Sequence, residues 1–67
     1  MEQRITLREH REALQLTQKQ VADLLGIAET AYQRYEYGTQ EPKVFMAVKI
    51  AQALKSSVEE LFVIDQE

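Results

Sequence analysis

The chain has 67 residues and a mass of 7.8 kDa, enough for one domain, and at this size folding buries only roughly 60% of the surface that the unfolded chain exposes. It holds no cysteine and one histidine, which excludes a disulfide framework, a thiolate metal site and an imidazole cluster. The formal net charge of −3, taken as a total, argues against a partner as negative as nucleic acid.

The negative charge lies largely at one end of the chain. The last nine residues hold the acidic side chains Glu59, Glu60, Asp65 and Glu67 and no lysine or arginine. Residues 1–58 therefore carry eight basic and seven acidic side chains. Residues 1–58 thus have a net charge of +1 (eight minus seven), and the net negative charge comes from the last nine residues.

Apolar runs and turn residues indicate the class of protein. No apolar run approaches the roughly 18 residues that span a bilayer, and the N-terminus does not resemble a signal peptide, so we expect a soluble cytoplasmic protein. Gly26, Gly38 and Pro42 are too few for a β-sandwich or barrel, which needs a turn about every 8 to 12 residues. The pattern therefore predicts helices joined by short turns.

The first half of the chain predicts two helices. Leu7 and Leu14 recur at helical spacing and indicate a first helix over about residues 5–13. Thr17 is a good N-cap for a second helix, which ends at Gly26 because glycine adopts the left-handed conformation without a Cβ penalty. The buried stripe of this second helix is Gln18, Val21, Ala22 and Leu25.

A third helix follows almost at once and ends at Gly38. Its inward stripe is Ala28, Ala31, Tyr32 and Tyr35. Its opposite, solvated face carries Glu29, Thr30, Gln33 and Arg34. The sequence therefore predicts a helix with one face that is polar throughout.

Two further helices complete the prediction. Pro42 suits the first turn of a fourth helix, whose inward side chains are Val44, Ala47, Val48, Ala51 and Leu54. Ser57 could cap a short fifth helix, with Glu60 completing a capping box. Leu61 and Phe62 would close the core.

Two short helices joined through a glycine turn have the geometry of a DNA-binding helix-turn-helix. The segments 16–27, 35–38, 49–54 and 57–62, with Pro42, resemble the phage repressor and Cro-like (XRE-type) helix-turn-helix family. The resemblance covers about residues 7–62. It implies an all-α, compact five-helix bundle of the lambda-repressor-like type, forming a single domain over residues 1–67. The helix-turn-helix would occupy about residues 18–36, and an acidic C-terminal tail, about residues 63–67, would stay clear of the DNA.

The resemblance also implies that helix 3 enters the major groove and that helix 2 lies across the DNA backbone. Gln18 would anchor a phosphate or base edge, although an idle exposed residue is the alternative. The DNA-reading side chains would be Glu29, Thr30, Gln33 and Arg34, against the alternative of an ordinary solvated face. Further contacts would come from Tyr37, Thr39, Gln40 and Lys43, with Tyr37 equally able to be merely exposed.

Other positions bear on stability and affinity. The family commonly pairs the residues that are Arg11 and Glu36 here, which would set the angle of helix 3. Ala28 stands where relatives often carry a serine or threonine cap, and Glu41 lies in a loop that is often basic. His10 is expected to be a half-buried core residue, because no second metal ligand or nucleophile stands in register with it.

An apolar surface for a second subunit is the last expectation from sequence. Its candidate residues are Phe45, Met46, Val58, Leu61, Val63 and Ile64, which could instead pack into the domain's own core. We expect a homodimer through helix 5 and the C-terminal end, because this family usually reads two half-sites about 34 Å apart.

The sequence is compatible with two functions. The first is a sequence-specific DNA-binding transcriptional regulator, expected to be a repressor with double-stranded DNA as its partner. The second is a protein-interaction or antitoxin-like module on the same fold with a weakened DNA face, which Glu29, Glu41 and the low pI support. No catalytic or cofactor-binding constellation is present in the sequence, so an enzyme is not predicted.

Overall fold

The structure is a computed structural model that describes residues 2–65, with the side chains of residues 4–64. The elements in chain order are β1 (Glu2–Ile5), α1 (Leu7–Ala13), α2 (Gln18–Leu25), α3 (Glu29–Tyr37), α4 (Val44–Ala53), α5 (Val58–Leu61) and β2 (Phe62–Asp65). Within this described part of the chain, the five predicted helices are confirmed. The strand pair was not predicted.

The two ends of the described chain form an antiparallel pair in which Ile5 faces Phe62. The first helix accordingly begins at Leu7, so the predicted start near residue 5 is wrong. The predicted tail over 63–67 is also corrected, because β2 takes it up as far as Asp65; residues 66 and 67 lie outside the described residues. Thr6 explains the arrangement, since its N–H donates to the carbonyl of Leu61 at 2.9 Å and holds the start of α1 against the end of α5.

The predicted helix ends depend on local hydrogen bonds and backbone conformation. Thr17 forms a complete capping box with Gln20: its hydroxyl accepts from the Gln20 N–H at 3.0 Å, and the Gln20 side chain accepts from the Thr17 N–H at 2.8 Å. Gly26 and Gly38 both adopt the left-handed conformation, with φ of 72° and 79°. Ser57 caps α5, but the Glu60 carboxylate accepts from the Ser57 hydroxyl, so the predicted capping box is half formed.

Every helix contributes at least one side chain to the buried core, and Tyr32 of α3 is fully buried within it. The buried cluster consists of Leu7, Val21, Ala22, Leu25, Tyr32, Ile50, Ala51, Leu54 and Leu61. The prediction for α4 is wrong in part, because Val44 and Val48 are exposed and Ile50 is buried instead. The reason is how α4 docks on the core, which buries the side that carries Ala47, Ile50 and Ala51. Pro42 lies before the helix and not in its first turn as predicted, because Lys43 is the N-cap.

None of the helices in the described residues combines the length and the apolar character needed to cross a bilayer.

Candidate nucleic-acid interface

The helix-turn-helix consists of α2 and α3, joined through Gly26. On the outer face of α3 the side chains of Glu29, Thr30, Arg34 and Tyr37 are exposed, and Gln33 is half-buried. The core side of α3 carries Tyr32 and Glu36. The predicted reading residues therefore share one accessible face of a helix, and Gln33 stands where that face meets α2.

Arg11 and Glu36 form a bidentate ion pair between α1 and α3. Arg11 Nε donates to Glu36 Oε2 at 2.9 Å, and Nη2 donates to Oε1 at 3.1 Å. The two side chains are only 11% and 1% exposed. Arg11 Nη1 also donates to the carbonyl of Leu16 at 2.8 Å, so one guanidinium holds the approach to α2 and the end of α3 together.

The ion pair shifts the pKa values of the groups that form it and of the neighbouring Tyr32. Burial alone would raise the pKa of Glu36, but hydrogen bonds from Arg11 and Gln18, with the Tyr32 hydroxyl nearby, hold that pKa below its usual range. The hydrogen bond to Glu36 likewise raises the pKa of Arg11. Burial and the neighbouring carboxylate raise the pKa of Tyr32, whose hydroxyl has no hydrogen-bond partner among the described residues. The ion pair therefore stays charged at neutral pH.

Acid should destabilise the fold through Glu36. Because the pKa of Glu36 is lower in the folded chain, its carboxylate stabilises the fold fully above its ordinary pKa of 4.5, and this contribution is lost as the pH falls through the lowered folded value. We expect the stability advantage of the wild type over Glu36→Gln, measured by urea unfolding, to stay constant above about pH 5 and to shrink as the pH falls below 4.5. The exposed Glu59→Gln is the control, and an advantage independent of pH would contradict the assignment.

Gln18 has a role in the structure that the sequence did not indicate. Its Nε2 donates to Glu36 Oε1 at 3.1 Å, and its Oε1 accepts from Gln33 Nε2 at 3.1 Å. The half-buried Gln18 amide thus connects the ion pair to Gln33 at the edge of the outer face of α3. The sequence placed Gln18 on a different helix from Gln33 and Glu36 and gave no signal for the contacts, because separations of 15 and 18 residues do not correspond to neighbours within one helix.

The loop after α3 folds back onto that helix. The carbonyl of Arg34 accepts from the N–H groups of Thr39 and Gln40 at 3.0 and 3.3 Å, and from the Thr39 hydroxyl at 3.3 Å. The Gln40 and Lys43 side chains are exposed. Glu41 is exposed in the same loop, so the loop offers an amide, an ammonium group and a carboxylate to a partner.

A polar cleft lies beside the N-terminus of α2. It has a volume of about 230 Å³ and is lined by Arg8, Arg11, Gln18, Glu36 and Tyr37. Arg8 was not among the predicted site residues; its position three residues before Arg11 on α1 was the available signal, because residues at that spacing share a helix face. Arg8 also pairs with Glu12 at 3.3 Å on the surface.

The chain is similar to known helix-turn-helix proteins. The helix-turn-helix family model matches residues 7–61. The cryptic phage CTXphi transcriptional repressor RstR of Vibrio cholerae serotype O1 is 46% identical over 55 residues, which are 82% of this chain and 49% of that protein. An uncharacterised HTH-type transcriptional regulator of Methanothermobacter thermautotrophicus is 34% identical over 65 residues, 96% of this chain and 94% of that protein. The chain thus spans about half the length of the Vibrio relative and nearly all of the archaeal one.

Proposed function

The chain belongs to the helix-turn-helix family of DNA-binding transcriptional regulators, and on that premise we propose that it is a sequence-specific repressor that reads DNA through α3 as a homodimer. The observation that carries the proposal is the outer face of α3, where exposed polar side chains stand beside a Gln33 amide that α2 holds in place. A helix of this kind fits the major groove, which is about 12 Å wide.

The side chains of α3 match the chemistry of base edges. The Arg34 guanidinium can donate twice to guanine O6 and N7, and Gln33 suits adenine. Thr30 can contact a thymine methyl. Glu29 is the exception, because phosphates repel a carboxylate. It can accept from a cytosine N4 amine, so it either specifies cytosine or weakens binding.

Phosphate contacts would come from the rim of this face. Gln18 lies in the first turn of α2, where free N–H groups and the helix dipole favour an anion. One N–H of its side-chain amide has no partner among the described residues. Arg8 and Tyr37 line the same cleft as Gln18. Lys43 and Gln40 extend the contacts from the loop after α3. With so few cations near phosphate, we expect a shallow salt dependence for a DNA-binding domain.

The homodimer is supported by an apolar groove of about 360 Å³ between α4 and β2. Its apolar lining comprises Ile5, Pro42, Val44, Ala47, Val48, Val58, Phe62, Val63 and Ile64. Val44, Val48 and Ile64 are 76%, 40% and 53% exposed, which is costly for a lone domain in water. Leu61 does not contribute as predicted, because it is fully buried in the core. A second copy seated on this groove would give the twofold symmetry that two half-sites require.

The alternative function is a protein-interaction or antitoxin-like module on the same fold. The observation in its favour is the pair of exposed carboxylates, Glu29 on α3 and Glu41 in the following loop. Such a module would need no affinity for nucleic acid.

Selection of bound duplexes from a random pool, followed by titration at two salt concentrations, tests the proposal. Affinity should fall as salt rises, because each phosphate contact releases condensed counterions. Arg34→Ala should cost about 1 to 3 kcal/mol and relax preference at one base pair, whereas Lys43→Ala should weaken all duplexes alike and reduce the salt slope by about one. Absence of binding to any pool at low salt would exclude the DNA-reading function and favour the alternative.

A further inference from the structure

We infer that the buried Glu36 determines base preference at one position by fixing the orientation of the Gln33 amide through Gln18. The inference rests on the proposed DNA-reading function. Glu36 itself contacts no base in this scheme, because its side chain is 1% exposed, so it is a positioning residue.

Four side chains from three helices form one continuous hydrogen-bond network. Arg11 donates twice to Glu36, at 2.9 and 3.1 Å. Gln18 donates to the same carboxylate at 3.1 Å, and Gln33 donates to Gln18 at 3.1 Å. The network extends from the buried ion pair to the face that would meet DNA.

The charge on Glu36 fixes which group donates and which accepts in each hydrogen bond of this network. An ionised carboxylate can only accept hydrogen bonds, so Gln18 must turn its NH₂ group toward Glu36. Its carbonyl oxygen then faces Gln33, which must in turn present its own NH₂ group. The charge on Glu36 thereby sets which way both amides point, although a glutamine alone could adopt either orientation.

The outward pattern of Gln33 follows from this direction. Its Oε1 has no partner among the described residues, and one N–H of its NH₂ group is also left over. An acceptor and a donor in a fixed order match the N6 amine and N7 of adenine. The same order opposes guanine, because Gln33 Oε1 would then face the acceptor O6. Holding the order also distinguishes an A·T pair from its reverse.

Glu36→Gln removes the charge that fixes the orientation of the Gln18 and Gln33 amides while keeping the shape of the side chain. A neutral amide can both donate and accept, so Gln18 is no longer held in one orientation and Gln33 can present either atom. We expect discrimination at one base pair to fall by at least about fivefold, the lower end of what a bidentate contact contributes. Preference at the other positions should stay as in the wild type.

The experiment uses duplex selection and competition binding for the wild type, Glu36→Gln and Gln18→Met at a temperature where all are folded. Gln18→Met removes both side-chain hydrogen bonds of Gln18 and leaves the pair of Arg11 and Glu36 intact. It should therefore relax the preference at the same base pair even if Glu36→Gln does not fold. Ile50→Val is the control, because it removes one methyl group from the buried core and Ile50 takes no part in the hydrogen-bond network. It should leave base preference unchanged.

NMR of the free protein provides a readout without DNA. The side-chain NH₂ protons of Gln33 should exchange slowly in the wild type and faster in Glu36→Gln, with no such change in Ile50→Val. Faster exchange together with relaxed preference at one base pair supports the inference. Unchanged preference in Gln18→Met, or equal relaxation in Ile50→Val, overturns it while leaving the DNA-binding function standing. A wild type that binds no duplex overturns the proposed function itself.

Discussion

Replacing Arg11 by methionine should lower the free energy of unfolding by about 3 to 5 kcal/mol, because it leaves the Glu36 carboxylate charged and buried without its main partner. The carbonyl of Leu16 loses its hydrogen bond as well. For a domain of 67 residues this loss corresponds to a fall in Tm of more than about 12 °C. Urea unfolding and a thermal melt of the same samples measure both quantities.

Arg8→Met is the matched control for this variant. Arg8 lies on the same helix and also pairs with a glutamate, but its side chain is 70% exposed and that of Glu12 is 54% exposed. Such surface pairs contribute about 0.3 to 0.5 kcal/mol, so this variant should melt close to the wild type. Equal Tm values for Arg8→Met and Arg11→Met would show that the buried pair does not stabilise the fold.

Combining Arg11→Met with Glu36→Leu extends the same argument. A buried ion pair that is replaced as a whole by apolar side chains often costs little, because no uncompensated charge remains. The double variant should therefore recover a large part of the stability lost in Arg11→Met. Its two changes should be strongly non-additive, since the residues are in direct contact.

The second large effect is expected at the groove between α4 and β2. Val48→Glu should convert the proposed homodimer to a monomer and weaken binding to a two-half-site operator by at least about 100-fold, because a charge would have to be buried against the partner. Val48 is 40% exposed, so the monomer itself should tolerate the change. Sedimentation equilibrium and titration against duplexes with one or two half-sites measure the two outcomes.

Gln52→Glu provides the control for the groove. It introduces the same charge on an exposed position of α4, but Gln52 does not line the groove. This variant should dimerise and bind as the wild type does. A dimer that survives Val48→Glu would place the subunit contact elsewhere, and a monomeric wild type would end the homodimer proposal.

The sequence predicted those features of the fold that depend on near neighbours in the chain. The capping residue Thr17 and the helix-ending residues Gly26 and Gly38 act through bonds and backbone angles within a few residues, so their identity was sufficient. The burial of Tyr32 was also predictable, because apolar spacing within one helix decides which face is buried. The predicted inward position of Ala28 is wrong, because Ala28 is the exposed N-cap of α3. The polar outer face of α3 followed from the same periodicity.

Only the tertiary structure decided the features that join distant segments. The pairing of β1 with β2 depends on the two ends meeting, and the exposure of Val44 and Val48 depends on how α4 docks. The contact of Gln18 with Glu36 and Gln33 is of this kind too, since it requires α2 and α3 to cross at one angle. Periodicity reports the faces of one element, whereas the partners of a side chain across elements, such as Glu36 and Gln33 for Gln18, are set by how the helices pack.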